Sequence, residues 1–271
     1  MNNVNLSPKE LAINIRILAL EMVYRAKASH IGSALSIADI VAVLYGSIMN
    51  YQPDNANYEN RDRFILSKGH ACVSVYAALA ECGFITHKDL ETYGADNSWL
   101  MNHISHKVSG VEFSTGALGH GLPFGVGKAL AAKIANKKWK TFVVLSDGEM
   151  DEGSNWEALM FASHHKLENL TAIIDYNKLQ SLDSIENTLS LEPLYEKLES
   201  FGCQVLNIDG HNHDELQSTF RKKSNGKPKA IIANTIKGKG VSYMENSVAW
   251  HYKSPTEIEL EIALRELKNE K

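Results

Sequence analysis

Residues 141–177 read TFVVLSDGEMDEGSNWEALMFASHHKLENLTAIIDYN, and this stretch decides the fold class. Its first five residues are apolar or β-branched, which is typical of a buried strand. A polar turn and a helical pattern follow, and the apolar run 170–177 predicts a second strand. Two strands joined by a helix form a βαβ unit, in which the strands are parallel and the crossover is right-handed almost without exception.

The flanking sequence repeats this pattern. A second unit is predicted from a strand at 203–210, a helix at 213–223 and a strand at 229–235, and a further strand is predicted at 63–67. Alternating strands and helices favour an α/β fold with a doubly wound, mostly parallel sheet flanked by helices. No linker-like segment interrupts it, so we expect one domain over residues 1–271.

Capping patterns mark the two ends of the chain. Ser7 to Glu10 has the form of a capping box, and a long amphipathic helix is predicted from there through Ala26. The same pattern recurs at Ser254 to Glu257, before a charged helix.

The composition is that of an ordinary globular protein, with 44% apolar and 22% charged residues. A formal net charge of −4 gives no reason to expect nucleic acid or an anionic membrane as a partner. Three cysteines are too few for a disulfide framework or a zinc cluster. The N-terminal residues show no secretory signal, and no apolar segment approaches the ~18 residues that span a bilayer. We therefore expect a cytoplasmic protein.

Two polar side chains are expected at one edge of the sheet. Asp147 follows the strand 141–145, and Asn177 ends the next strand; ligands bind beyond the carboxyl ends of such strands. A carboxylate and an amide oxygen suit Mg²⁺ or Ca²⁺, and Mg²⁺ completes its shell with phosphate oxygens and water. Gly148 and Gly153 would let backbone amides approach a diphosphate. The spacing leaves open the alternative that Asp147 caps the next helix and Asn177 makes a turn.

A run of five glycines between residues 116 and 127 leads into an Ala-rich helix. Such a run can seat an anion on a helix N-terminus, although close packing of the helix is the commoner reason for it. It matches neither the dinucleotide fingerprint nor the phosphate-binding loop of nucleotide-binding enzymes.

Several histidines lie beside glycines or in aperiodic segments rather than on apolar helix faces. They are His30, His70, His103, His106, His120 and His251. One such histidine is usually a surface residue, but several around a metal-bearing cleft would offer donors to phosphate and acid–base groups near neutral pH. His211 and His213 are interpreted as turn and cap residues. Lys237 and Lys239 suit either a solvated turn or the rim of a phosphate site.

Taken in order, these motifs resemble the N-terminal half of transketolase. Residues 147–153 (DGEMDEG), followed by Asn177, resemble the thiamine diphosphate motif of that family. Further blocks match in the same order at 29–32 (SHIG), 67–70 (SKGH), 114–121 (STGALGHG) and 237–251. One departure is Ser146, where the family usually has glycine, and altered turn geometry rather than lost metal binding is expected from it.

The resemblance implies a role for each matching residue. Metal ligands would be the side chains of Asp147 and Asn177 and the backbone carbonyl of Leu179. Cofactor contacts are implied for His70, Gly116, Leu118, Gly148, Glu149, Asn177 and His251. Catalytic positions are implied for His30, His70, His103 and Glu152, where His106 competes with His103 and Glu152 would join two active sites across a subunit interface.

The resemblance also implies a partner. Full-length transketolases continue with a pyrimidine-binding domain and a C-terminal domain, and this sequence ends near residue 271. We therefore expect both domains on a second polypeptide, a C-terminal transketolase subunit, with two copies of each chain in the assembly.

The activity implied is transfer of a two-carbon ketol unit from a ketose phosphate to an aldose phosphate, with thiamine diphosphate and Mg²⁺ or Ca²⁺ bound. One alternative is a subunit of another thiamine diphosphate enzyme, such as a 2-oxo acid dehydrogenase component or a relative of 1-deoxyxylulose-5-phosphate synthase. The other alternative is a non-catalytic interaction subunit.

Overall fold

One parallel sheet carries the structure, a computed structural model that describes residues 6–269. Its strands are β1 (Arg63–Leu66), β2 (Thr141–Ser146), β3 (Leu170–Tyr176), β4 (Gln204–Asp209) and β5 (Lys229–Asn234). They lie in the order β1-β2-β3-β5-β4, and every neighbouring pair is parallel. The predicted parallel sheet is confirmed, including both βαβ units. Residues 1–5, part of the N-terminal stretch in which no secretory signal is predicted, lie outside the described residues.

The α-helices of residues 6–269 flank this sheet. They are α1 (Pro8–Ala26), α2 (Ile31–Ser36), α3 (Ala38–Val43), α4 (Cys72–Glu81), α5 (His87–Leu90), α6 (Gly121–Ile134), α7 (Gly153–His164), α8 (Ile185–Thr188), α9 (Leu194–Ser200), α10 (His213–Arg221) and α11 (Glu257–Asn269). A π-helical turn (Leu44–Ile48) extends α3, and short 3-10 turns occur at Pro53–Asn55, Gly69–Ala71, Gly148–Asp151 and Val248–His251.

The capping prediction is confirmed at one end of the chain and wrong at the other. At the start of α1, Ser7 Oγ accepts the backbone N–H of Glu10 at 3.3 Å, and the Glu10 carboxylate accepts that of Ser7 at 2.8 Å. Before α11 the box is formed by Thr256 and Glu259, whose reciprocal bonds measure 3.3 and 2.7 Å. Ser254 instead donates to a backbone carbonyl of α1 at 3.2 Å, which holds its hydroxyl away from the start of α11.

Both faces of the sheet are covered, which explains the nearly continuous apolar strands. On β2, Phe142 and Val144 pack into a core with helices α1 to α4 and α10. Val143 and Leu145, on the opposite face, pack with α6, α7 and α9. The sheet is therefore the middle of three layers, and its polar residues gather at the carboxyl ends of the strands.

The cysteines belong to this packing. Cys72, Cys82 and Cys203 are free and buried, and burial raises the pKa of each thiol to about 12. No helix within residues 6–269 has the length and apolar character needed to cross a bilayer.

Candidate active site

A cleft of about 210 Å³ opens where the parallel strands end. Its walls come from the loops that follow β1, β2, β3 and β5, because parallel strands present their carboxyl ends at one edge. Most residues predicted for the site line it, namely His30, His70, His103, Gly116, Leu118, Asp147, Gly148, Asn177, Leu179 and His251. Of the other predicted residues, Glu149 and Glu152 lie outside it.

Asp147 and Asn177 lie together at this edge, as predicted. The register pairs Ser146 of β2 with Asp175 of β3, so the next residues of both strands leave the sheet side by side. Asp147 is 1% exposed and Asn177 is 7% exposed. Asn177 Nδ2 donates to Asp175 at 3.1 Å, which directs the amide oxygen Oδ1 away from that carboxylate.

The turn contacts of the alternative interpretation are also present. Asp147 accepts the backbone N–H of Gly148 through Oδ1 at 2.8 Å and that of Lys178 through Oδ2 at 2.6 Å. Asn177 Oδ1 accepts the N–H of Leu179 at 3.1 Å. Each oxygen has a further lone pair, so holding the turns and ligating a cation are compatible roles.

The donor set fits a divalent cation that prefers oxygen. Burial, followed by the nearby Asp175 carboxylate, raises the pKa of Asp147 to about 6. A bound cation would supply the opposite charge that favours the ionised carboxylate. Within residues 6–269 no group of three or more His, Cys, Asp or Glu side chains could hold a metal. A cation would therefore have one carboxylate and one amide oxygen here, few protein ligands of the kind that Mg²⁺ combines with phosphate oxygens.

Lys237 is buried in the cleft, so its interpretation as part of a solvated turn is wrong. Its side chain is 1% exposed, and burial lowers its pKa to about 8. The Nζ atom donates to the carbonyl oxygens of Leu179 at 3.0 Å and Gln180 at 2.9 Å, and to His251 Nδ1 at 3.1 Å. Positive charge thus lies beside the carbonyl that the resemblance names as a metal ligand, where it suits a diphosphate.

Lys68 and Asp175 form a buried ion pair behind the cleft, and no sequence pattern predicted it. Their side chains are 1% and 0% exposed, and Nζ lies 2.5 Å from Oδ2. Although burial alone would raise it, the Lys68 ammonium holds the pKa of Asp175 below its usual value. Ser36, at 2.7 Å, and Thr235 also donate to Asp175. The pair connects β3 with the loop after β1 and orients Asn177.

Four histidines, His30, His70, His103 and His251, meet on one side of the cleft. The ring centroid of His30 lies 5.1 Å from that of His70, 5.9 Å from that of His103 and 5.0 Å from that of His251. The backbone N–H of His30 donates to the carbonyl of His251 at 2.7 Å. His30 has a φ of 72°, a left-handed conformation that is uncommon outside glycine and clusters at functional sites.

These four imidazoles are neutral near pH 7. Burial, as the largest cause, lowers the pKa of His30 to about 4 and that of His251 to about 3. It also lowers the pKa of His103, and it lowers that of His70 to well below the usual value. Because the Lys237 ammonium donates to Nδ1 of His251, the ring proton of His251 lies on Nε2. A neutral imidazole can both accept and donate a proton.

The structure separates the two histidines that competed for one position. His103 lines the cleft and lies against Gly116, where an added Cβ would be 3.4 Å from its ring. His106 is exposed and pairs through Nδ1 with Ser114 Oγ at 2.7 Å. His120 is also exposed and lies outside the cleft. His103 is therefore the member of this group that joins the histidine cluster.

The glycine run serves mainly to pack α6 against the sheet. An added Cβ at Gly121 would lie 2.3 Å from Ser67 Oγ, and one at Gly125 would lie 2.5 Å from a β2 side chain. The commoner explanation of such a run, close helix packing, therefore applies to these two positions. Gly116, at the other end of the run, faces the cleft.

Glu149, for which a cofactor contact was predicted, is fully buried outside the cleft. Its carboxylate accepts from Ser67 Oγ, from the N–H of Gly119 at 2.9 Å and from that of Ser146 at 3.4 Å. Burial raises the pKa of Glu149. Ser146 Oγ accepts the N–H of Glu149 at 3.1 Å. The structure thus corrects the prediction: Glu149 ties the ends of β1 and β2 to the start of α6.

Glu152 is exposed at the start of α7, beside Gly119. On the same helix, Met160 is 59% exposed and Phe161 is 42% exposed. An exposed carboxylate on a helix with exposed apolar side chains is compatible with a subunit contact, and the role predicted for Glu152 stays a prediction.

The family model described as "Transketolase, thiamine diphosphate binding domain" matches residues 7–267. The chain belongs to the transketolase family. One of the two chains of an apulose-4-phosphate transketolase from Actinobacillus succinogenes is 43% identical over 100% of both sequences. A 6-deoxy-6-sulfo-D-fructose transketolase subunit of a Clostridium species is 40% identical over 94% of each chain. Human transketolase is 37% identical over 90% of this chain but only 39% of its own length.

Solved transketolases have the same fold. The transketolase of Campylobacter jejuni matches with a TM-score of 0.92 and 31% identity, over 96% of this chain and 42% of that one. The enzyme of Leishmania mexicana matches with a TM-score of 0.91 and 30% identity, over 97% and 41% respectively. The chain thus spans about two fifths of these transketolases, and the predicted thiamine-diphosphate-binding fold is confirmed.

Within this transketolase fold, sequence reasoning missed some cleft residues. Lys68, Ser33, Gln180 and Ser181 also line it. The available signal for Lys68 was its place just beyond a predicted strand, two residues before His70. Ser33, Gln180 and Ser181 stand in turns or short helices and carried no comparable signal.

Proposed function

We propose that this chain is the diphosphate-and-metal-binding domain of a thiamine-diphosphate-dependent transketolase that is active only with a second subunit. The reaction is transfer of a two-carbon ketol unit from a ketose phosphate to an aldose phosphate. The observation that carries the proposal is one cleft in which Asp147, Asn177 and Lys237 lie beside four neutral histidines. The relatives named as transketolase subunits support the division into two chains.

The floor of the cleft is suited to hold the cofactor's diphosphate. Asp147 and Asn177 would ligate Mg²⁺ (or Ca²⁺) through oxygen, and the carbonyl of Leu179 is the third protein ligand in this proposal. Lys237 adds positive charge for the phosphate oxygens. Gly148 keeps the approach open, because a Cβ there would lie 3.1 Å from the Gln180 side chain. Gly116, Leu118, His70 and His251 form the walls against the cofactor.

Thiamine diphosphate, when bound, supplies the carbon nucleophile for breaking and remaking the ketose carbon–carbon bond. His30, His70 and His103 move protons at the substrate hydroxyls, because each is neutral at pH 7 and can accept a proton and return it. His103 is exposed at the mouth of the cleft, where it can meet both the incoming and the leaving sugar.

The second subunit carries the pyrimidine-binding and C-terminal domains in this proposal. We place its contact on the side of α7, where Glu152 and the apolar side chains of Met160 and Phe161 are exposed. The assembly has two copies of each chain and works in the cytoplasm on sugar phosphates.

The test is ketol transfer to ribose 5-phosphate, measured with thiamine diphosphate and Mg²⁺, by the chain alone and with the product of the neighbouring gene. Donors are xylulose 5-phosphate, apulose 4-phosphate and 6-deoxy-6-sulfofructose. Activity is expected only in the mixture and is expected to be lost in Asp147→Ala but kept in Asp96→Ala, which removes an exposed carboxylate.

Two results would contradict the proposal. Carbon dioxide release from pyruvate, with no transfer from any sugar, would assign the chain to another class of thiamine diphosphate enzyme. Cofactor binding without turnover of any of these donors, at any ratio of the two chains, would favour the non-catalytic alternative.

A further inference from the structure

A cluster of charged and polar side chains lies outside the cleft. This Asp39 cluster consists of Arg16 on α1, Asp39 on α3, and His211 and His213 around the start of α10. Arg16 is 4% exposed and Asp39 is 6% exposed. Two guanidinium nitrogens of Arg16 donate to the two carboxylate oxygens of Asp39, at 3.2 and 2.5 Å. All four residues line a separate cavity of about 450 Å³, and none of them lines the active-site cleft.

Both histidines bind the same carboxylate. His211 Nδ1 lies 2.7 Å from Asp39 Oδ2, and His213 Nε2 lies 2.8 Å from Oδ1. Although burial would raise it, Arg16 and the two histidines hold the pKa of Asp39 well below its usual value. The other ring nitrogen of His211, Nε2, accepts the backbone N–H of Ile236 at 2.8 Å. An accepting nitrogen carries no proton, so His211 is the tautomer that donates from Nδ1 to Asp39.

The cluster grips one backbone segment at both ends. His211 holds Ile236, and Arg16 Nε donates to the carbonyl of Lys239 at 3.0 Å. Lys237 lies between these two points. The same carboxylate orients both Arg16 and His211, so Asp39 controls both grips on segment 236–239.

We infer that the Asp39 cluster positions Lys237 for the diphosphate end of the cofactor, acting through segment 236–239. Within residues 6–269 no carboxylate forms an ion pair with Lys237, and its ammonium contacts two carbonyl oxygens and one imidazole. These bonds measure 2.9 to 3.1 Å, so a backbone shift of about 1 Å would break them. A fixed backbone is therefore a condition for a fixed ammonium.

His213 separates this role from a merely structural one. It binds the same carboxylate as His211, yet it has no hydrogen bond to segment 236–239. His211→Phe removes the grip on Ile236, and His213→Phe removes a comparable bond to Asp39 and leaves the segment held. His211→Gln is the conservative variant, because its amide can donate to Asp39 and accept from Ile236.

The inference rests on the proposed function in naming the ligand, and two readouts separate the two. The first is amide hydrogen exchange at residues 236–239 in the full chain, which requires no catalysis. The second is the Kd of thiamine diphosphate with Mg²⁺ for the chain together with its partner. His211→Phe is expected to speed exchange at Ile236 and to raise the Kd about tenfold, the worth of one buried hydrogen bond. His213→Phe is expected to change neither, and His211→Gln to restore both.

Equal effects of His211→Phe and His213→Phe on exchange and on Kd would overturn the inference, as would failure of His211→Gln to restore them. If His211→Phe does not fold, Arg16→Lys takes its place, because it keeps the charge beside Asp39 and loses the bond to Lys239. It is expected to raise the Kd several-fold, and an unchanged Kd in this variant would also overturn the inference. A complex that shows these changes but transfers no ketol unit would refute the proposed function alone.

Discussion

Removing the buried partner of Asp175 is expected to destabilise the protein strongly. Lys68→Met replaces the ammonium by an apolar group of similar length, and it leaves a carboxylate that is 0% exposed. Lys68 is the ion-pair partner of Asp175 in the described part of the chain. Ser36 and Thr235 would still donate to it, but neither carries a charge. Breaking a buried pair on one side costs about 3–5 kcal/mol.

A second substitution tests the reason for this loss. In Lys68→Met/Asp175→Asn a neutral amide replaces the unpaired carboxylate, and the double variant is expected to be about 1–2 kcal/mol more stable than the single one, because a neutral polar group is cheaper to bury than a charge. Urea unfolding followed by circular dichroism gives both free energies of unfolding.

The control is Lys253→Met, which breaks an ion pair with Glu259 whose two side chains are 47% and 25% exposed. A solvent-exposed pair contributes at most about 1 kcal/mol. The reasoning is refuted if Lys68→Met costs no more than this control, or if the double variant is less stable than Lys68→Met alone.

Three further predictions concern packing, pH and the metal. Gly121→Ala is expected to cost about 1–3 kcal/mol in urea unfolding, because its Cβ would lie 2.3 Å from Ser67 Oγ, whereas Gly127→Ala on the same helix meets nothing within 4 Å and should stabilise by up to about 1 kcal/mol; equal effects would contradict this. Because the pKa of His30 is lowered from 6.5 to about 4, the unfolded chain binds the proton first and stability falls as the pH drops through this window; unfolding midpoints should fall less steeply there in His30→Asn. Thiamine diphosphate with Mg²⁺ should raise the Tm of the chain with its partner, and a rise that survives EDTA or Asp147→Ala would exclude Asp147 as the metal anchor.

Local patterns in the sequence predicted most of the fold. Helix and strand periods follow from contacts between neighbouring residues, and the capping box of Ser7 and Glu10 is a contact of this kind. The parallel sheet then placed Asp147 and Asn177 at one edge without any coordinates, because all parallel strands end on the same side. The sequence 254–259 contains two overlapping capping patterns, and the contact of Ser254 with α1, which no local pattern records, selects the second.

Contacts between distant polar groups were the part that could not be predicted. Lys68 and Asp175 come from different loops and strands, and an aspartate within an apolar strand gives no indication of its partner. His211 lies in a turn, as interpreted, but its bond to Asp39 depends on how α3 packs against α10. Glu149 was assigned to the cofactor by its position in a motif, and only the fold shows that its carboxylate faces inward.

The hydrogen bond between the backbones of His30 and His251 bears on how the protein is made. Strand β5 ends at Asn234, so a growing chain has all five strands before His251 has been synthesised. The sheet and the two acidic and amide donors at its edge can be in place while one wall of the cleft is still inside the ribosome. Completion of the histidine cluster is then among the last events of folding during translation, and a chain released early would have a nearly complete scaffold without a finished site.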